Sequence, residues 1–128
     1  MASSSDSITE NDISSVLFAP VSLEVVKSAL KEEFPEEKVY IYTSGYNGAR
    51  TVHLRGDEVD FEGYPDSTDG SGEDSDYLLN GMIAGEADAA ALKAQSIFTR
   101  LMDSGMTVQF EVYDSVGNRL VEQKPTRR

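Results

Sequence analysis

The chain has 128 residues, 39 % of them hydrophobic, with no cysteine and a formal net charge of −12. That length suits one domain able to bury a core unaided, and the missing cysteines exclude disulfides, thiolate metal sites and a cysteine nucleophile. No stretch reaches the ~20 apolar residues of a membrane helix, and MASSSDSITENDISS lacks the basic head and apolar run of a secretory leader, so the expectation is a soluble, cytoplasmic protein.

In chain order, residues 1–14 are Ser-rich and aperiodic and read as a disordered tail. SSVLFAP is a short apolar run stopped by Pro20 and reads as a first strand. VSLEVVKSALKEEFP reads as a helix, with Ser22 placed to cap it and Leu23, Val26, Leu30 and Phe34 at helical spacing. Val21 and Val26 stand where a hydrophobic staple needs them, and Pro35 ends the helix.

KVYIYTSGYNGARTVHLRGDEVDFEGY then alternates around Asn47-Gly48, a strong hairpin signal. A turn on those two residues pairs Thr43 with Val52 and Ile41 with Leu54; a second turn at Gly56-Asp57 pairs Leu54 with Val59 and Val52 with Phe61. Alternation sends Val39, Ile41, Thr43, Val52, Leu54, Val59 and Phe61 to one face. Tyr40, Tyr42, Thr51, His53, Arg55, Glu58, Asp60 and Glu62 go to the other. The result is a β-meander over residues 38–64 with one face on a core and one toward water.

DSTDGSGEDSD reads as a loop, giving an acidic segment over 65–76. YLLNGMIAGE suits a buried strand or a helical turn. EADAAALKAQSIFTRLMDSG is a helix with a stripe of Ala90, Ala94, Ile97, Phe98 and Leu101, closed by Gly105. MTVQFEVYD and RLVEQ read as a last strand pair about an SVGN turn, and residues 125–128 as a basic tail. The expected fold is α+β: a single domain over 15–124, a mainly antiparallel sheet and two helices packed on one face, such as an elaborated ferredoxin-like split βαβ.

The charge is concentrated. Residues 57–76 hold nine acids among twenty positions, and the whole span from Gly56 to Leu92 contains no Lys or Arg. Such a surface repels nucleic-acid phosphate and anionic lipid and attracts basic proteins or divalent cations. A dedicated calcium loop is a remote reading. An EF-hand register from Asp69 puts Asp74 where glycine is needed and Asn80 where the bidentate Glu is needed; one from Asp66 has Gly70 in place of the third ligand.

On the open face, His53 falls opposite Asp60 and Tyr42 in the deduced register, the pairing that orients a general base. It is the chain's single histidine, and no nucleophile motif accompanies it. Tyr40 and Tyr42 suit binding better than catalysis, because tyrosine brings contact area at small entropic cost. The glycines of SGYNGAR sit in a hairpin without a following helix to cradle phosphate. No catalytic residue, metal site or cofactor is therefore expected.

The expected function is a small acidic, non-enzymatic protein that masks a basic protein partner, in the manner of an inhibitor or immunity protein neutralising a toxin or effector. Its binding residues would be Tyr40, Tyr42, His53, Glu58, Asp60, Glu62, Asp66, Asp69, Glu73, Asp74 and Asp76, with Phe61 or Tyr64 adding contact area. The competing expectation is a structural or adaptor domain of a larger assembly, a phage or secretion-system accessory, associating through RLVEQ or the first strand.

Overall fold

A computed structural model of the chain describes residues 10–43, 50–66 and 76–124. Its elements are β1 (Glu10–Phe18), α1 (Leu23–Glu33), β2 (Lys38–Thr43), β3 (Arg50–Arg55), β4 (Val59–Pro65), β5 (Tyr77–Ala84), α2 (Ala87–Asp103), β6 (Thr107–Tyr113) and β7 (Arg119–Gln123). All seven strands form one sheet in the order β2-β3-β4-β5-β1-β6-β7, every neighbour antiparallel. The fold is α+β, as the alternation and the two helical stripes imply.

The strand directions reveal two interleaved split units. β1 and β2 run parallel but are separated by three strands, and α1 crosses between them; β5 and β6 run parallel around β1, and α2 crosses between those. That is the double split βαβ of the ferredoxin-like plan, widened on one side by additional meander strands and on the other by β7.

The helices end where their chemistry dictates. Ser22 Oγ accepts the Val25 N–H at 3.4 Å at the start of α1. At the end of α2, Gly105 adopts a φ of +104°, its N–H reaches the Met102 carbonyl, and the Met106 N–H reaches the Leu101 carbonyl, which completes a Schellman motif. Both helices pack on one face of the sheet and against each other, and Arg100 bridges to Glu32 at 2.9 Å between them. The core beneath holds Leu30, Phe61, Phe98 and Leu101, all at 0 % exposure, and Phe98 stacks on Phe110 at 4.4 Å.

The segment 77–84, open between strand and helix on sequence, is strand β5, the middle strand of the sheet. Glycines in β4 and β5 admit aromatic rings where a side chain would collide. The Phe61 ring covers Gly81 and the Tyr77 ring covers Gly63. Across Gly63, the Tyr77 hydroxyl reaches β3. It accepts the Val52 N–H at 3.0 Å, donates to the Gly63 carbonyl at 2.7 Å, and lies 3.1 Å from the Arg50 carbonyl. Burial pushes the Tyr77 phenol well above the ordinary tyrosine range, against the opposing Val52 hydrogen bond.

Three expectations change. Strand β1 begins at Glu10, so residues 10–14, expected in the tail, belong to the sheet. Its inward positions alternate Asn11, Ile13, Ser15 and Leu17, and the polar pair hides the period. Asn11 Nδ2 donates to the Ile83 and Gly85 carbonyls at 2.9 and 3.0 Å. Ser15 Oγ donates to the Leu79 carbonyl at 2.6 Å, patching a point where the β1–β5 ladder skips Ser14 and Ser15.

Second, both meander registers differ by two residues. Ile41 faces Val52 and Val39 faces Leu54; Leu54 faces Phe61 and Val52 faces Gly63. The second turn centres on Asp57-Glu58, since the Gly56 N–H donates to the Val59 carbonyl at 2.8 Å. A slip of two keeps every side chain on its face, so alternation cannot detect it. Third, β1 is an interior strand, flanked by β5 and β6, so the first strand offers no edge for association.

Candidate functional site: the open face of the sheet

The helices cover one face of the sheet, and among the described residues no element lies on the other. The register lays side chains across it in rows. One row runs Lys38, Arg55, Asp60, Met82, Asp12, Tyr113, Arg119; the next runs Tyr40, His53, Glu62, Asn80. Beyond it stand the pair Tyr42 and Thr51 and the apolar run Tyr64, Leu78 and Val16. The face is therefore banded: charge on one side, tyrosine and aliphatic carbon on the other.

Tyr40, Tyr42 and Tyr64 are among the most exposed large hydrophobic residues, at 52 %, 42 % and 40 %. Phe61, offered on sequence as a contact residue, instead lies wholly in the core. His53 is half-buried and faces Tyr40 and Glu62, in place of Tyr42 and Asp60. Asp60 still meets it diagonally, with Oδ1 3.5 Å from Nε2, and also lies 3.8 Å from Arg55 Nε. The Asp60 charge is thus shared between two partners.

Glu62 is exposed and joins no ion pair among the described residues, and the same holds for Glu58, Asp66, Glu10 and Asp12. Glu58 stands in the β3–β4 turn and not on the strand face; its carbonyl accepts the Ala84 N–H at 2.8 Å. Between β4 and β5 a shallow trough of 320 Å³ is lined by Asp60, Glu62, Tyr64, Asn80, Gly81 and Met82. Two carboxylates, a phenol ring and a thioether line the same hollow. That combination suits a cationic side chain with an aliphatic stem.

The acidic segment leaves the sheet at the tyrosine end of this face. Asp66 is exposed and its N–H donates to the Asp76 carbonyl at 2.7 Å, joining the two ends of the acidic segment. Asp76 is half-buried, and its Oδ1 accepts the Ala19 N–H at 2.9 Å. It ties the start of β5 to the β1–α1 connection and is a structural residue. Asp69, Glu73 and Asp74 lie outside the described residues.

Sequence reasoning missed Asp12, Asn80 and Met82, which the fold carries into the face, and Glu10 and Glu111 beside them. Glu10 and Asp12 were hidden because Asn11 and Ser15 masked the strand period. Glu111 accepts the Tyr113 hydroxyl at 2.6 Å and lies 3.6 Å from Arg119. That hydrogen bond to a carboxylate raises the Tyr113 phenol above its ordinary range. Among the described residues no three His, Asp or Glu side chains converge as metal ligands, and no helix is long and apolar enough to cross a membrane. No family model matches the sequence, and no curated protein matches it as a relative.

Proposed function

We propose that the open sheet face docks a basic protein, and that the chain is a non-enzymatic masking protein of the inhibitor or immunity type. The observation that carries the reading is the trough over β4 and β5. There the Glu62 carboxylate, without an ion pair among the described residues, and the Asp60 carboxylate stand beside the exposed Tyr64 ring on the face opposite the two helices. Small size and net charge add to it, since a field of −12 steers cationic partners and speeds encounter. Tyr40, Tyr42 and Tyr64 supply contact area, and Asp66 extends the acidic rim toward the loop.

The test compares the intact protein with the Asp60→Asn/Glu62→Gln double variant and with Tyr64→Ala, in capture from a lysate followed by association kinetics with the purified partner. The expected result is a basic protein held by the intact chain. Its association should slow sharply as salt rises through about 0.15 M, where exposed charges are screened over ~8 Å, and the double variant should bind more weakly, with a smaller salt dependence. Equal capture by all three forms would remove the open face from the binding surface. Asp76 is left intact, because removing its bond to Ala19 would confound a charge effect with a structural one.

A further inference from the structure

The two edges of the sheet are built differently. Strand β7 carries the devices that discourage further pairing: it is five residues long, its register with β6 is bulged near Val112 and Tyr113, and Arg119 and Glu122 are charged. Strand β2 is less protected. It pairs with β3 without a bulge, Lys38 at its first position is its single charge, and Val39-Tyr40-Ile41-Tyr42-Thr43 is entirely β-branched or aromatic. Among the described residues it has a strand neighbour on one side only.

Which backbone groups face the vacant side follows from the ladders. The Gly56 N–H bonds to the Val59 carbonyl, and the Val52 N–H meets the Gly63 carbonyl through the Tyr77 hydroxyl. Val52, Leu54 and Gly56 therefore turn their backbone groups toward β4, and the alternate residues Thr51, His53 and Arg55 turn theirs toward β2. Through the β2–β3 register, Tyr40 and Tyr42 are spent on β3, and Val39, Ile41 and Thr43 aim N–H and C=O off the edge. Val39, with its side chain in the core, keeps 8 % exposure, against 0 % for its partner Leu54.

We infer that β2 pairs antiparallel with β2 of a second copy of this chain, on a two-fold axis at Ile41. This goes beyond the open-face reading and does not depend on it. The register is self-complementary: Ile41 meets its symmetry mate, Val39 meets Thr43, and all six outward residues lie in hydrogen-bonded positions. On the open face Tyr40 then stands opposite Tyr42 of the partner copy, giving two aromatic cross-strand pairs. No like charges face each other, because Lys38 falls outside the paired window. A highly acidic chain can therefore self-associate here.

The absence of cysteine makes the register directly testable. Hydrogen-bonded opposite residues have Cα atoms about 5.5 Å apart, within disulfide range. Diagonal ones lie about 7–8 Å apart, outside it. Ile41→Cys should therefore give a disulfide-linked dimer under mild oxidation, and Tyr40→Cys should form the same dimer without a disulfide. In sedimentation at about 0.15 M salt the wild type should be a dimer. Thr43→Pro, which removes an outward N–H at an exposed position, should be a monomer with an unchanged circular dichroism spectrum. A wild type that stays monomeric at every concentration, equal cross-linking of the two cysteine variants, or a dimer that survives in Thr43→Pro would each overturn the proposal.

Discussion

On the helix-covered face, Val52, Leu54, Phe61 and Leu79 are wholly buried and their partners in the register are other apolar side chains or glycines. One pleat away, on the same strands, His53, Asp60 and Glu62 meet Tyr40, Asn80 and Met82, and water reaches all of them to some degree. The backbone serving both sets is one ladder. What differs is which free-energy terms a substitution perturbs: dispersion and cavity formation on one side, screened charge on the other. The stability of the fold should therefore be read on the covered face, and the proposed docking on the open one.

Phe61→Ala should break this contrast most severely. Its ring fills the space over Gly81 and lies 6.5 Å from Phe34, so truncation leaves a cavity between sheet and α1. The expected loss is about 3–5 kcal/mol in denaturant unfolding. A loss below about 1 kcal/mol would mean that the neighbouring side chains collapse into the gap.

Tyr77→Phe should come next, at about 1–3 kcal/mol, because the Val52 N–H and the Gly63 carbonyl are then buried without their partner. The pH dependence follows from the direction of the shift. A phenol held above its ordinary value of 10.0 contributes stability that is complete below that value and declines as pH rises past it. The wild type should therefore lose stability above about pH 10, and Tyr77→Phe should show a flatter alkaline limb in thermal melts.

The smallest effect on stability belongs to the open face. Asp60 is well exposed and its contacts with His53 and Arg55 are 3.5 and 3.8 Å long, so Asp60→Asn with Glu62→Gln should shift unfolding by no more than about 0.5 kcal/mol. The same pair is expected to weaken association with a basic partner and to reduce its salt dependence. A variant that unfolds early and binds normally would reverse the division between the faces.

The same contrast explains how much was legible in the sequence. Face assignment in the meander was readable because apolar and polar residues alternate there, but its register was not, because a shift of two leaves the pattern intact. The helices were readable from Leu23, Val26 and Leu30 and from Ala94, Ile97 and Leu101, with Ser22 and Gly105 marking ends. The first half of β1 was not. Asn11 and Ser15 occupy inward positions to bond carbonyls of β5 and Gly85, a long-range need that leaves no local trace. For the candidate site, Tyr40, Tyr42, Asp60 and Glu62 could be named, but Asp12, Asn80 and Met82 reach it through strand order alone. The aromatic–glycine pairs of β4 and β5 had a signal, glycine inside an apolar strand, that points to close approach without naming the ring.

The interior place of β1 also shapes the order of assembly. Ile13 pairs with Gly81 on one side and with Val112 on the other, so its two ladders close over long stretches of chain. The meander from β2 to β5 needs only short closures and can form early, whereas the sheet becomes continuous only when the amino-terminal strand inserts between β5 and β6. Loop closures of that span slow folding. During synthesis, β1 leaves the ribosome first and must wait for both of its neighbours, with α2 and β6 made last of the elements it needs.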